Sequence, residues 1–184
     1  PLPFPDNFVL FQDEAHFQSV ENTSLHRLAI YMIRKGYPLK IVSASATLGD
    51  VDMGGLPFDV IETEGRLFPI ETHWNEEFVD FNDTDDVNGA LVAKVNYVLE
   101  THKSGSILVF CSGEKQIEAL AKLFEDKNLN NTIVSRLYSG LEESEINEVV
   151  SVAPVGMRRI VFATNIAESS VTIDGVDVVI DSAT

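Results

Sequence analysis

Short runs of β-branched and aromatic residues alternate along this chain with segments whose apolar residues recur at helical spacing. That alternation constrains the fold more than any other feature. It calls for an α/β architecture around mainly parallel sheets, because consecutive parallel strands need a crossover between them, usually a helix. Phe8-Val9-Leu10-Phe11 is a continuous apolar run of the kind expected of a buried central strand. Leu25, Leu28, Ala29, Met32 and Ile33 follow helical spacing within Ser24–Lys35, and Gly36 and Pro38 stop that helix. Leu39–Ser43 returns to strand character; after the Gly-rich turn Val51–Pro57, Phe58–Glu62 reads as a short strand. The pattern restarts near Glu64-Gly65-Arg66, which puts a lobe boundary between residues 64 and 65. Beyond it we expect a strand Phe68–Trp74, an acidic loop, a helix Val87–Glu100, a strand Ser106–Phe110 and a helix Glu114–Phe124. A strand Thr132–Leu137, a helix Glu142–Val150 and strands Arg159–Ala163 and Val176–Ile180 complete the pattern.

Composition narrows the function classes. With 45% hydrophobic residues in 184, the chain can bury a core. A single cysteine, Cys111, excludes an internal disulfide framework and a multi-cysteine zinc site. No apolar run reaches membrane-spanning length, and Pro1–Pro5 lacks the basic flank and apolar centre of a signal peptide. The expectation is a soluble intracellular protein, and the three Asn-x-Ser/Thr sequons read as chance. The net charge of −16 argues against a basic nucleic-acid surface. It is uneven, however: Glu76, Glu77, Asp80, Asp83, Asp85 and Asp86 crowd one stretch that reads as a solvated loop.

Three sites carry chemistry. Asp13-Glu14-Ala15-His16 directly follows the first strand, and the C-terminal ends of strands face the ligand crevice in open α/β sheets. A carboxylate there suits Mg²⁺ on nucleotide phosphates, and a neighbouring carboxylate suits a general base for water; an acidic turn with a surface histidine is the bland alternative. Ser45-Ala46-Thr47 follows the next strand, where its hydroxyls can hydrogen-bond toward the acidic tetrapeptide; alone it would also serve as a cap or turn. In Arg159–Gly175 a strand ends in a turn rich in Thr, Asn, Ser and Asp, whose hydroxyls and N–H groups suit phosphate oxygens without positive charge.

These segments, in this order, resemble the DEAH-box helicases of superfamily 2. Asp13–His16 resembles motif II, Ser45-Ala46-Thr47-Leu48 motif III, Ile107–Gly113 motif IV and Ala163–Gly175 motif V. Glu64–Ile70 is similar to the opening of the family's second RecA-like lobe, and Leu137–Leu141 to a short His-Ser-x-Leu-like element. The resemblance implies two RecA-like lobes, the first (1–64) incomplete and the second (65–184) ending before motif VI. By the same resemblance Asp13 holds Mg²⁺ and Glu14 is the catalytic base, while His16 with Ser45 and Thr47 couples the nucleotide to the nucleic-acid track. Ser112, Thr164 and Asn165 then contact nucleic acid, and Asp174 lies near the nucleotide ribose. The parent protein would use ATP or another NTP with Mg²⁺ to move along single-stranded RNA and remodel duplexes or ribonucleoproteins, with room for an activating protein cofactor. The alternatives are a catalytically dead helicase-like scaffold or RNA-binding module, and an origin in a viral polyprotein.

The sequence departs from the family at Phe17-Gln18, usually Glu-Arg, and at Glu168-Ser169-Ser170, usually Glu-Thr-Ser. It contains no Gly-x-x-x-x-Gly-Lys-Ser/Thr phosphate loop, so these residues alone are expected not to turn over NTP. His26, His73 and His102 read as ordinary surface or packing residues, Cys111 as a small core residue, and Trp74 and Tyr138 as core aromatics. Arg158-Arg159 has two readings, a phosphate contact or a solvated entrance to the following strand.

Overall fold

The computed structural model describes residues 8–16, 19–45, 52–63, 68–75, 77–169 and 171–182. The chain divides into two compact units, Pro1–Glu71 and Thr72–Thr184. The boundary expected between 64 and 65 falls among residues outside the described set.

In unit 1, β1 (Phe8–Gln12) pairs in parallel with β2 (Leu39–Ser43), Phe8 opposite Leu39 through Gln12 opposite Ser43, and α1 (Val20–Arg34) makes the crossover. The helix begins four residues earlier than its apolar spacing indicates, because Ser19 caps it: the hydroxyl accepts from Asn22 N–H at 3.1 Å. Ala29, Ile30 and Leu39 are buried where helix meets sheet. β1 is not the buried strand its apolar run suggests: Phe8, Val9 and Phe11 are exposed, Phe11 by 61%. A continuous apolar run signals cover on both faces, and among the described residues two strands and one helix cover little of it.

Unit 2 is a three-layer α/β/α arrangement. Its elements are α2 (Thr84–Thr101), β3 (Ser106–Phe110), α3 (Glu114–Asp126), β4 (Thr132–Leu137), α4 (Glu143–Val150), β5 (Arg158–Ala163), the short α5 (Ile166–Ser169) and β6 (Val176–Ile180). The four strands are all parallel, in the order β4-β5-β3-β6. Alternate residues of the two central strands point to opposite faces. Ile107 and Val109 of β3 with Ile160 and Phe162 of β5 pack under α2 and α3, against a layer of Leu91, Val95, Ile117, Leu120 and Phe124. Leu108, Val161 and Ala163 face the other way, packing with Leu137 of β4 and Val149 of α4. Gly105 opens β3 at φ +84 with Asp177 so close that a Cβ would overlap its side chain, so only glycine fits.

Part of the acidic stretch proves to be helix. Asp83 caps α2 by accepting from Asp85 N–H at 2.9 Å, and Asp85 and Asp86 occupy the first turn, where the helix dipole favours carboxylates. The strands expected at Phe58–Glu62 and Phe68–Trp74 do not form, and Trp74 is 83% exposed rather than in the core. β-propensity expresses packing against neighbours, and neither segment has a ladder partner among the described residues. Tyr138, by contrast, packs against the core beneath α3 as expected. Phe162→Ala should therefore lower unfolding stability by about 3–5 kcal/mol, whereas Trp74→Ala should stay within about 0.5 kcal/mol of the parent, both read by urea denaturation.

Candidate functional site

Because β1 and β2 run parallel, their C-terminal ends lie side by side, and the turns leaving them hold the first group of candidate residues. Two backbone bonds join these turns: Ala44 N–H donates to the Gln12 carbonyl at 2.8 Å, and Ala15 N–H to the Ala44 carbonyl at 2.9 Å. His16 Nδ1 is thereby brought to 3.0 Å from Ser45 Oγ and 3.4 Å from Glu14 Oε2. A protonated Nδ1 can donate to either partner, while a bare one can only accept from the hydroxyl. Glu14 takes φ 49, in the left-handed region, and donates its N–H to Asp13 Oδ1 at 2.9 Å. Strained backbone of this kind gathers at functional turns. Asp13, Glu14, His16 and Ser45 thus form one cluster at the surface, while Thr47 lies outside the described residues.

The second group lies in unit 2. Phe110 of β3 is in register with Ala163 of β5, so Ser112 and Thr164 leave neighbouring strands at the same, C-terminal, edge of the sheet. Cys111 N–H donates to the Ala163 carbonyl at 2.8 Å and Thr164 N–H to the Leu137 carbonyl at 3.0 Å, which carries the ladder one residue past each strand. Ser112 is exposed, Thr164 half-buried and Asn165 exposed. Asp174 is not with them. It sits two residues before β6, whose Val176 pairs with Ser106 at the start of β3, and so lies at the opposite edge of the sheet.

Ser112 is held from beneath by a residue that no sequence motif singles out. Gln116, buried on α3, places Oε1 2.7 Å from Ser112 N and 3.0 Å from Ser112 Oγ. Its Nε2 donates to Asn88 Oδ1 of α2 at 2.8 Å. The available signal is a polar residue at a position of the helical stripe otherwise filled by Ile117, Leu120, Ala121 and Phe124. His26 is likewise more than an ordinary surface group: its ring joins Gln12 Oε1 at 2.8 Å to the Asp52 carbonyl at 3.0 Å, tying the end of β1 to Asp52. No spacing rule would find it, since its partners are 14 and 26 residues away.

Neither arginine of the pair Arg158-Arg159 is a solvated or phosphate-facing group. Arg158 donates to the His102 carbonyl at 2.6 Å. Arg159, 5% exposed, gathers the Glu148, Val149 and Ser151 carbonyls at the end of α4, the position where a helix dipole favours a cation. Arg136 bonds Glu125 through both terminal nitrogens and Glu118 through Nε, holding the Glu125 carboxyl below its ordinary pKa.

Residues 90–184 match the helicase conserved C-terminal domain. The chain belongs to this helicase family. It is 35% identical over 179 residues to an ATP-dependent RNA helicase HrpA homolog of Haemophilus influenzae, covering 95% of this chain and 13% of that protein. It is 34% identical over 184 residues to human ATP-dependent RNA helicase DHX33, covering 92% of this chain and 25% of that protein. The crystal structure of the Escherichia coli DEAH/RHA helicase HrpB superposes with a TM-score of 0.78 at 28% identity, over 94% of this chain and 22% of that one. The chain therefore spans a quarter or less of the length of these helicase relatives. Both the parallel-sheet α/β fold and the DEAH-type kinship expected from the motifs are thus features of this helicase chain. Among its described residues no helix is long and apolar enough to cross a membrane.

Cys111 is buried at the end of β3, and burial pushes its thiol up to about 12, against a backbone bond to Ala163 that pulls it down. A thiol so rarely ionised is a poor nucleophile. Iodoacetamide at pH 8 should modify it more than roughly a hundredfold more slowly in the native protein than in urea, as followed by mass spectrometry.

Proposed function

We propose that this chain is part of an ATP-dependent RNA helicase of the DEAH type, running from motif II in a first RecA-like lobe (1–64) to motif V in a second (65–184). The observation that supports this most is the cluster at the ends of β1 and β2. The backbone bond from Ala15 to Ala44 and the His16–Ser45 contact join the Asp-Glu-Ala-His turn to Ala44 and Ser45 just past β2. An acidic surface turn would need no such connection.

On this reading Glu14 orients and deprotonates the water that attacks the terminal phosphate of ATP or another NTP. Asp13 would hold Mg²⁺, which when bound neutralises charge on the phosphates. The residues fit that ion: Asp13 is exposed, one carboxylate oxygen accepts from Glu14 N–H, and the other has no protein donor among the described residues. Mg²⁺ is commonly held by one or two carboxylates together with waters and substrate phosphates. His16, facing both Glu14 and Ser45, passes a change at the base to the second turn, and Thr47 belongs to the same coupling element. Asp174 would approach the nucleotide ribose.

Ser112, Thr164 and Asn165 form the track for single-stranded RNA at the C-terminal edge of the unit 2 sheet. Their neutral hydroxyl, amide and backbone groups suit a chain of net charge −16. An activating protein partner and an intracellular location complete the proposal.

The test is NTP hydrolysis by the full-length native product, with and without single-stranded RNA, beside Glu14→Gln. We expect RNA-stimulated turnover that falls about 10²–10⁴-fold in the variant, with ATP and RNA binding retained. A wild-type protein that binds both ligands and hydrolyses nothing would overturn the enzyme reading and leave a helicase-derived scaffold.

A further inference from the structure

We propose that Gln116 is a positioning residue that makes the Ser112 hydroxyl an acceptor only, so that Ser112 reads a ribose 2′-hydroxyl rather than a phosphate and favours RNA over DNA. The proposal rests on the reading of this sheet edge as the nucleic-acid track.

One group at this edge has a polarity beyond choice. The Ser112 backbone N–H can only donate, and its partner 2.7 Å away is the Gln116 side-chain amide. The atom facing it must therefore be the amide oxygen, which settles which way the amide points. The opposite orientation would set two donors against each other. With its oxygen so fixed, Gln116 turns Nε2 to Asn88, which presents Oδ1 at 2.8 Å. Both ends of the amide are then accounted for, in a residue only 7% exposed.

The Ser112 hydroxyl lies 3.0 Å from that same Gln116 oxygen. A carbonyl oxygen only accepts, so the hydroxyl gives it its one proton. What Ser112 then offers on its exposed side is lone pairs. Phosphodiester oxygens are acceptors too, and cannot engage it unless the Gln116 bond is given up. A ribose 2′-hydroxyl can donate, and deoxyribose has nothing in its place.

Thr164 supplies the contrast on the adjacent strand. Its hydroxyl has no protein partner among the described residues, so it keeps a proton for a phosphate oxygen. The edge therefore carries an acceptor hydroxyl and a donor hydroxyl just past the ends of neighbouring parallel strands, the one suited to a ribose 2′-hydroxyl and the other to a phosphate oxygen.

The test uses the full-length native product and matched fluorescent oligonucleotides of uridine and deoxyuridine, which share a base and differ at the 2′ position. Ser112→Ala should weaken uridine binding about three- to tenfold, the worth of one hydrogen bond, and leave deoxyuridine binding unchanged. Gln116→Leu should lower the uridine-to-deoxyuridine affinity ratio in the same way. Gln116→Glu should restore it, because a carboxylate accepts both Ser112 bonds and the Asn88 amide can rotate to donate. Thr164→Val should weaken both ligands alike.

Equal weakening of both ligands by Ser112→Ala would show a phosphate contact and overturn the proposal, as would no change in either. Should Gln116→Leu fail to fold, Ser112→Ala and Gln116→Glu decide the matter. Failure of the wild type to bind either oligonucleotide would instead sink the helicase reading itself.

Discussion

The parallel pairing of β3 with β5 is the constraint on which unit 2 depends. Ile107 lies against Ile160 and each following residue keeps step as far as Phe110 against Ala163. Both strands are covered on both faces, so a slip of one residue would exchange the set facing α2 and α3 for the set facing α4. Ile107 and Val109 could not trade places with Leu108 without opening voids under one helix layer and crowding the other. The register in turn fixes which residues emerge at the C-terminal edge. Cys111 and Thr164, each one residue past its own strand, still bond the last carbonyl of the neighbouring strand, and so Ser112 and Thr164 both emerge just past the ends of adjacent strands. The same parallel logic sets Asp174 at the other edge, because β6 has to begin where β3 begins.

The charge of the chain has a structural counterpart in the use of its arginines. All three arginines after residue 71 are engaged within the fold: Arg136 by Glu118 and Glu125, Arg158 by the His102 carbonyl, Arg159 by the last carbonyls of α4. In unit 1, Arg34 donates to the Gly54 carbonyl. Guanidinium forks used on carbonyls and carboxylates are not offered to phosphate. On the proposed reading, recognition by Ser112, Thr164 and Asn165 at the unit 2 edge rests on neutral groups, whose hydrogen bonds depend on direction as well as distance. That is where a single amide such as Gln116 gains influence, since it decides which way one hydroxyl points.

Much of this was legible in the sequence, and the exceptions share a cause. Thr132–Leu137 and Val176–Ile180 are strands over the expected residues because both a β-prone run and a neighbouring strand are present. Phe58–Glu62 and Phe68–Trp74 have comparable runs and form no strand, for a strand is a pair property that one segment cannot announce. Helix starts shifted where a cap outweighed periodicity, at Ser19 and at Asp83. The DEAH-type turn was visible as a string of letters. Its junction with Ser45 was only an inference from strand order, and the His16 contact makes it a distance. Gln116 and His26 stayed hidden because their meaning lies in partners on other elements, Asn88 on α2 for the one and Gln12 and Asp52 for the other.

The strained turn at Glu14 bears on how a catalytic base could be aimed. A glutamate has three side-chain torsions, and leaving them to solvent would spread the carboxylate over many positions. Here the backbone narrows the choice before the side chain begins. Glu14 sits at φ 49 with its N–H held by Asp13 Oδ1, and the next residue, Ala15, is anchored to the Ala44 carbonyl. The Cα–Cβ vector of Glu14 is thus set by two bonds that do not involve its own carboxylate. Its carboxylate lies 3.4 Å from His16 Nδ1, so one end of the side chain is oriented by the turn and the other by the ring. On the proposed reading Asp13 serves twice: one oxygen holds the base's backbone while the other remains for the cation. Base and metal ligand are then positioned by the same residue, and a change that moved Asp13 would displace both.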